Sequence, residues 1–206
     1  MKLNDNKIYL ASKSPRRREL LRQIGVHFEI LMLRDGSSRP TDVNEEVLQD
    51  ELPLSYVERI ANEKAVAAWN MVLMRKLPLR PVLSADTTVV LNGVIFGKPA
   101  NRKEAYEMLT QLSGNTHQVF TSIAVHFHQQ HLKATQISDV TFCTLTKQQI
   151  DNYCDTQEPY DKAGGYGIQG SAAQFISHIN GSYSSIMGLP LYETAKLLTE
   201  SGIILT

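Results

Sequence analysis

Asp86 sits inside a mostly apolar run, Pro81-Val82-Leu83-Ser84-Ala85-Asp86-Thr87-Thr88-Val89-Val90. A carboxylate in such a strand costs on the order of several kcal/mol unless it is paired, hydrated or bound to a metal. The following Asn92-Gly93 is a strong signal for a two-residue hairpin. That turn predicts Leu91 opposite Val94, Val90 opposite Ile95 and Thr87 opposite Lys98, which sets Asp86 beside Lys98 at the hairpin's open end. A carboxylate next to an ammonium is either a structural ion pair or a catalytic pair. Pro99 ends the partner strand there, so this end is expected to face a cleft.

A second chemistry-bearing stretch is Ser12-Lys13-Ser14-Pro15-Arg16-Arg17-Arg18. Ser14 suits a helix N-cap and Pro15 a first helical position. The positive end of a helix dipole favours acidic residues, yet this one carries three arginines. A bound anion would relieve the repulsion through free backbone N–H groups and guanidinium forks. Solvated arginines tolerating a small penalty are the equal alternative. Arg16, nearest the cap, is the foremost candidate.

Lys64 falls on the apolar stripe Val57, Ile60, Ala61, Ala65 and Ala68 of a predicted helix. It is either a lysine snorkelling from the core edge or an ammonium aimed across a cleft at phosphate. The segment Asp161-Lys162-Ala163-Gly164-Gly165-Tyr166-Gly167-Ile168-Gln169-Gly170 holds four glycines in its last seven residues. It matches neither a Walker loop nor a dinucleotide fingerprint, and reads as a close approach to a ligand or as a tight structural turn. The amide of Gln169 offers one donor and one acceptor, which matches the N3–H and O4 edge of uracil or thymine; capping a turn is the alternative. His126 and His128 share a strand face with His131 just beyond. They read chiefly as the exposed tip of a hairpin and less as a metal site. His117 and His178 have no partner legible in the sequence.

The elements that must position these groups alternate in type. Strands are predicted over Ile8–Ser12, Phe28–Leu33 and Val82–Leu91, with β-rich stretches at Thr116–Phe127 and Leu132–Leu145. Helices are predicted over Pro15–Ile24, Ser55–Met74, Arg102–Leu112 and Lys147–Cys154, with a last one from Pro190 to Gly202. Arg34–Pro53 reads as a polar excursion. The pattern gives an α/β or mixed α+β class. The 206 residues suit a single domain of two lobes, or two small domains sharing a cleft. With 42% hydrophobic residues the chain can build a core, and its 21 basic and 21 acidic residues cancel. That balance speaks against nonspecific nucleic-acid binding, so any anion site must be a local cluster. No apolar run reaches membrane-spanning length, and no signal peptide is evident. Cys143 and Cys154 form neither a disulfide framework nor a zinc spacing. These features point to a reducing compartment, the cytoplasm in a bacterium.

In their order along the chain the motifs resemble the Maf family of nucleoside triphosphate pyrophosphatases over nearly the full length. The resemblance rests on Leu10-Ala11-Ser12 with Ser14-Pro15-Arg16-Arg17, Glu63-Lys64-Ala65, Ala85-Asp86-Thr87, Gly97-Lys98-Pro99 and Leu112-Ser113-Gly114. It continues through Asp161-Lys162-Ala163-Gly164 and Tyr166-Gly167-Ile168-Gln169-Gly170 to Gly188-Leu189-Pro190. It implies a central mixed twisted sheet flanked by helices, with two lobes around a nucleotide cleft, as in Maf and ITPase proteins. It also implies Asp86 as catalytic acceptor and a divalent cation, magnesium or manganese. Arg16, Thr87 and Gln169 match the branch acting on dTTP and UTP. Ser12, Ser14, Arg16, Arg17, Lys64 and Lys98 form the implied phosphate set, with Asp161 and Lys162 as further candidates. The family's Asp-Glu pair is matched here by Asn44-Glu45, which leaves Glu45 as the metal-binding carboxylate beside Asp86. The segments Leu31–Asp50 and Met71–Pro81 look longer than typical. The implied partner is a nucleoside triphosphate, with no nucleic acid or membrane, and a homodimer is compatible. Two rivals are a non-catalytic nucleotide-binding regulator of division or septation, and a pyrophosphatase for another base such as 7-methyl-GTP.

Overall fold

The computed structural model describes residues 6–34 and 41–205, so part of the predicted polar excursion, residues 35–40, lies outside the described residues. In chain order the elements are β1 (Lys7–Ala11), α1 (Pro15–Gln23), β2 (His27–Ile30), α2 (Pro53–Met74), β3 (Val82–Leu91), β4 (Val94–Phe96) and α3 (Arg102–Leu112). There follow β5 (Thr116–Phe127), β6 (Gln130–Phe142), α4 (Lys147–Cys154), β7 (Ile176–Asn180), α5 (Tyr183–Ile186) and α6 (Leu191–Glu200), with short 3-10 turns between α4 and β7. The sheet runs β2-β1-β3-β5-β6-β7, with β4 paired to β3. It is mixed: β1 is parallel to both β2 and β3, whereas β4 is antiparallel to β3 and β7 to β6. The fold is therefore the mixed α/β class expected, and among the described residues no helix is long and apolar enough to cross a membrane.

The chain forms two compact units. The first comprises residues 1–86, 121–135 and 188–206, and the second residues 87–120 and 136–187. In the first, α2 buries Val57, Ile60, Ala61, Ala65 and Ala68 as the stripe predicts, and adds Trp69, Met71 and Val72. These pack on Tyr9, Ala11, Leu31, Val82 and Phe127. Further along, only small side chains separate helix from sheet: Ala61 and Ala65 meet Ala124. The Ser84 hydroxyl donates 2.6 Å to the Ala61 carbonyl, a bond from strand to helix backbone. In the second unit Val89, Leu91 and Phe96 pack with Ala105, Leu109 and Leu112 of α3, Ile150 and Tyr153 of α4, and Phe142 and Phe175.

Several predicted bounds shift. α2 starts at Pro53 rather than Ser55, because Pro53 serves as its first helical residue. β2 ends at Ile30, where its pairing with β1 ends at Leu10↔Ile30. β6 resumes at Gln130 after a two-residue turn in which His128 adopts φ 54°. β7 and α5 lack a clear sequence signal, and the pairing of β6 with β7 carries a register irregularity between Thr141 and Phe142 of β6. The hairpin at Asn92-Gly93 forms in the predicted register, but its ladder ends at Val89↔Phe96. The ladder therefore does not reach Thr87 and Lys98. The Gly97 carbonyl instead accepts the Gly164 N–H at 3.0 Å, which takes the chain out of the strand before Lys98.

Candidate active site

Asp86 lies at the boundary of β3's buried stretch and is 8% exposed. Its hydrogen-bonded partner is not the expected Lys98 but Lys64, whose Nζ donates 2.7 Å to Oδ1. The close packing of α2 at Ala61 and Ala65 makes this possible, because a bulkier layer would lift Lys64 away from the strand. The same ammonium is 2.8 Å from Glu45 Oε1. Lys64 is thus neither a simple snorkelling lysine nor a free cation; it joins two carboxylates that lie 41 positions apart in sequence.

Glu45 comes from irregular chain, and α2 fixes that chain. Arg59 grips Glu51 with a two-pronged bond, Nε to Oε1 at 2.6 Å and Nη2 to Oε2 at 2.8 Å. It also donates to the carbonyls of Asn44 (3.3 Å) and Glu46 (2.9 Å), one on each side of Glu45. The Tyr56 hydroxyl donates 3.1 Å to the Glu45 carbonyl itself. The Arg59 bond holds the Glu51 carboxyl down to about 2. Burial, with the negative charges of Asp86 and Glu45, raises the Tyr56 phenol to about 12, so it stays a donor.

The arginine-rich helix start resolves differently from either reading of the sequence. Ser14 occupies the N-cap position and Pro15 follows, but the Ser14 side chain makes no cap bond. Its N–H donates 3.2 Å to the Ser12 hydroxyl oxygen. Arg17 is woven into the fold: Nε donates to the Gly188 carbonyl at 2.7 Å, and Nη1 to the Ala85 carbonyl at 2.8 Å and the Ser12 hydroxyl at 3.2 Å. Burial lowers its pKa, and the charge of Asp86 opposes that shift. Arg18 turns back to the carbonyls of Ser14 and Lys13. Arg16 alone of the three makes no hydrogen bond to a described residue, which leaves its fork open to an anion. Ser12, Ser14, Arg16, Arg17, Glu45, Lys64 and Asp86 all belong to the first unit.

Thr87, Lys98, Asp161, Lys162 and Gln169 belong to the second. Lys98 is exposed. Lys162 donates to the Glu158 carbonyl at 2.6 Å and to the Asp161 carboxylate at 2.5 Å, so this pair closes the turn it stands in. The glycine-rich segment is a string of tight turns. Gly164 has φ 68°, and a Cβ there would come within 2.9 Å of Val89. The Gly164 bond to Gly97 fastens this motif to the Gly97-Lys98-Pro99 motif. Gln169 is exposed and makes no hydrogen bond to a described residue.

The histidine group is only partly the exposed tip expected. His126 is buried and stacks on Trp69 at 5.2 Å, with the His131 ring 3.9 Å away. Burial and the neighbouring His131 lower its pKa. No set of three His, Cys, Asp or Glu among the described residues is arranged to hold a metal. Tyr56 and Arg59, which hold the chain around Glu45, were missed by sequence reasoning. Their i, i+3 spacing on one helix face is the signal that could have found them.

The profile of the family described as Maf-like protein matches residues 7–201. The chain belongs to the Maf family. A protein of Nitrosomonas europaea named dTTP/UTP pyrophosphatase is 50% identical over 96% of each chain. One of the same name from Nitrosospira multiformis is 53% identical over 97% of this chain and 96% of its own. Another, from Dechloromonas aromatica, is 48% identical over 95% and 98%. Among solved structures, the Staphylococcus aureus Ham1 protein aligns over 66% of this chain and 71% of its own at 15% identity and a TM-score of 0.44, a likeness too slight to bear on the assignment.

Proposed function

We propose that this chain hydrolyses dTTP and UTP to the monophosphate and pyrophosphate, cutting the α–β linkage, and so clears pyrimidine nucleotides, modified ones included. The observation that carries the reading is the meeting of Asp86 and Glu45 on the Lys64 ammonium, at 2.7 and 2.8 Å, beside the Ser12–Arg17 loop. The names of relatives near 50% identity support the same substrate pair.

The donor set fits a divalent cation of the magnesium kind. Such an ion takes one or two carboxylates and fills its shell with phosphate oxygens and water, and Asp86 and Glu45 supply that number. When bound, magnesium or manganese would neutralise charge on the phosphates. The protein's own groups do the rest. Lys64 exchanges a carboxylate for a phosphate oxygen as the triphosphate arrives. Arg16 offers its open fork to phosphate, while Arg17 holds the loop that carries it. Asp86 accepts a proton from the attacking water. The water oxygen bonds to the α-phosphorus as the bond from that phosphorus to the α–β bridging oxygen breaks, and pyrophosphate leaves with the electron pair. Arg16 stabilises the charge that develops on the phosphates, and Lys98 is a further candidate for phosphate binding. Thr87 and Gln169 tune the choice of base, with the Gln169 amide set against N3–H and O4. Free Cys143 and Cys154 support a reducing compartment, the cytoplasm in a bacterium.

Product analysis over a nucleotide panel, with and without magnesium or manganese, tests the reading. UMP or dTMP with pyrophosphate is the expected outcome. UDP with orthophosphate would overturn the cut, preference for 7-methyl-GTP would overturn the base, and UTP binding without turnover would favour the regulatory alternative.

A further inference from the structure

Gln169 is exposed and unbonded to described residues, yet the backbone that presents it is fixed on both sides. The Gly170 N–H donates 3.0 Å to the Gly167 carbonyl, closing a turn with Ile168 and Gln169 at its centre. On the N-terminal side Tyr166 is buried, with its hydroxyl 2.6 Å from His117 Nε2 and its ring edge-on to Phe142 at 4.8 Å. His117 is 1% exposed, and burial pushes its pKa down to about 4, so the pair is a neutral imidazole and a neutral phenol. On the C-terminal side the Glu158 carboxylate accepts from the Ser171 N–H at 2.9 Å and the Ser171 hydroxyl at 2.7 Å. The Tyr153 hydroxyl donates 3.0 Å to its other oxygen. Burial alone would raise the Glu158 pKa, but these donors outweigh it and hold the carboxyl below its ordinary range. Contact is tight: a Cβ on Gly170 would fall 1.9 Å from Glu158 Oε1.

None of these four side chains has any evident business with phosphate. Three are buried or half-buried, and each fastens backbone within three residues of Gln169. A side-chain amide reads a base edge only if its donor and acceptor are held in register, and a misplacement of about 1 Å costs much of that discrimination. We infer that His117–Tyr166 and Glu158–Ser171 are the positioning pairs that set base selectivity, aiming Gln169 from the two ends of its turn. The inference rests on the reading of Gln169 as the base-contacting group.

The test compares UTP with CTP, whose pyrimidine edge reverses the donor and acceptor order. Tyr166→Phe keeps the ring and its packing while removing the hydroxyl; Glu158→Gln keeps the shape while removing the charge. Each is expected to raise KM for UTP about tenfold with kcat little changed, and to narrow the UTP-to-CTP ratio by a similar factor, the worth of one or two hydrogen bonds. In a Gln169→Ala background Tyr166→Phe should narrow the ratio no further, an outcome that a merely structural role would not give. A ratio unchanged in Tyr166→Phe, or narrowed equally with and without Gln169, overturns the inference. If Glu158→Gln fails to fold, Tyr166→Phe carries the test alone. A ratio unmoved by Gln169→Ala itself would instead overturn the base-reading role, and absence of UTP turnover in the parent protein would overturn the proposed function.

Discussion

The Lys64 centre and the Gln169 turn are held by opposite means. At Lys64, charged groups hold one another: an ammonium between two carboxylates, with an arginine tying down the chain that brings one of them. At Gln169 the anchors are a neutral imidazole–phenol pair and a carboxylate saturated by hydroxyl and backbone donors. On the proposed function the contrast suits what each region would do. Ion pairs can be redistributed when an anion or cation arrives, because the incoming charge replaces the partner that is lost. The buried neutral bond between His117 and Tyr166 has no such substitute and keeps its geometry through the event. A reacting centre needs the first property and a reading device needs the second.

The sharpest break is expected at Asp86. Asp86→Asn keeps the shape but removes the proton acceptor, and pyrophosphate release should fall about 10³-fold or more. The melting midpoint should show that the fold survives. An active variant would remove the Lys64 centre from the chemistry altogether.

Next in size is a pH effect confined to the other region. The His117 pKa falls from 6.5 to about 4 on folding. Between those values the unfolded chain binds a proton that the folded chain does not, so stability is full above pH 6.5 and declines as pH falls toward 4. The loss should reach roughly 3 kcal/mol. Urea titrations at pH 7 and 4.5 measure it, and His117→Phe should flatten that slope. A wild-type stability unaffected over this interval would show that the imidazole is not held neutral.

Lys64→Met keeps the stem and removes the charge, which leaves Asp86 and Glu45 facing each other. Turnover should drop about 10²-fold. The variant should also bind manganese without nucleotide, measurable by calorimetry, since the ammonium that joined the two carboxylates is gone. If no such binding appears, the two carboxylates do not share a site once the ammonium is gone.

The smallest effect is expected from Arg59→Met, which frees the chain around Glu45 without touching it. About a tenfold loss in kcat/KM is anticipated, with little change in the UTP-to-CTP ratio. Because the Glu51 carboxyl is held down to about 2, the Arg59 grip is complete above the ordinary range near 4.5 and fails only as pH falls through about 2. Acid inactivation at milder pH therefore does not come from this grip. A changed base ratio in Arg59→Met would blur the division between the two regions.

Long periodic elements were legible from the residues alone. β3, α3, β5 and α4 have their predicted bounds, and the apolar stripe of α2 buries the residues expected. Asn92-Gly93 placed its hairpin correctly because a two-residue turn fixes register locally. The extrapolation from that turn to an Asp86–Lys98 pair failed, since a tertiary bond from Gly164 to Gly97 ends the ladder early. Ordered motifs brought Lys64, Asp86 and Glu45 into the candidate set, but their meeting depends on the small residues Ala61, Ala65 and Ala124, whose role is invisible in a hydrophobicity pattern. Arg16 looked foremost because it is nearest the cap, whereas Arg17 carries the fold. Nothing local distinguishes them; the difference lies in a carbonyl 171 residues away. His117 with Tyr166, and Glu158 with Ser171, are pairs 49 and 13 positions apart with no periodic relation.

The Arg17 bond to Gly188 also has a bearing on synthesis. The loop from Ser12 to Arg17 is translated well before one of the carbonyls that hold its arginine, which follows 171 residues later. Until position 188 is available, a guanidinium destined for burial lacks one of its acceptors. The loop is therefore completed long after it is made, and a nascent chain that already has β1 and β3 still lacks part of the bonding that holds Arg17 in place.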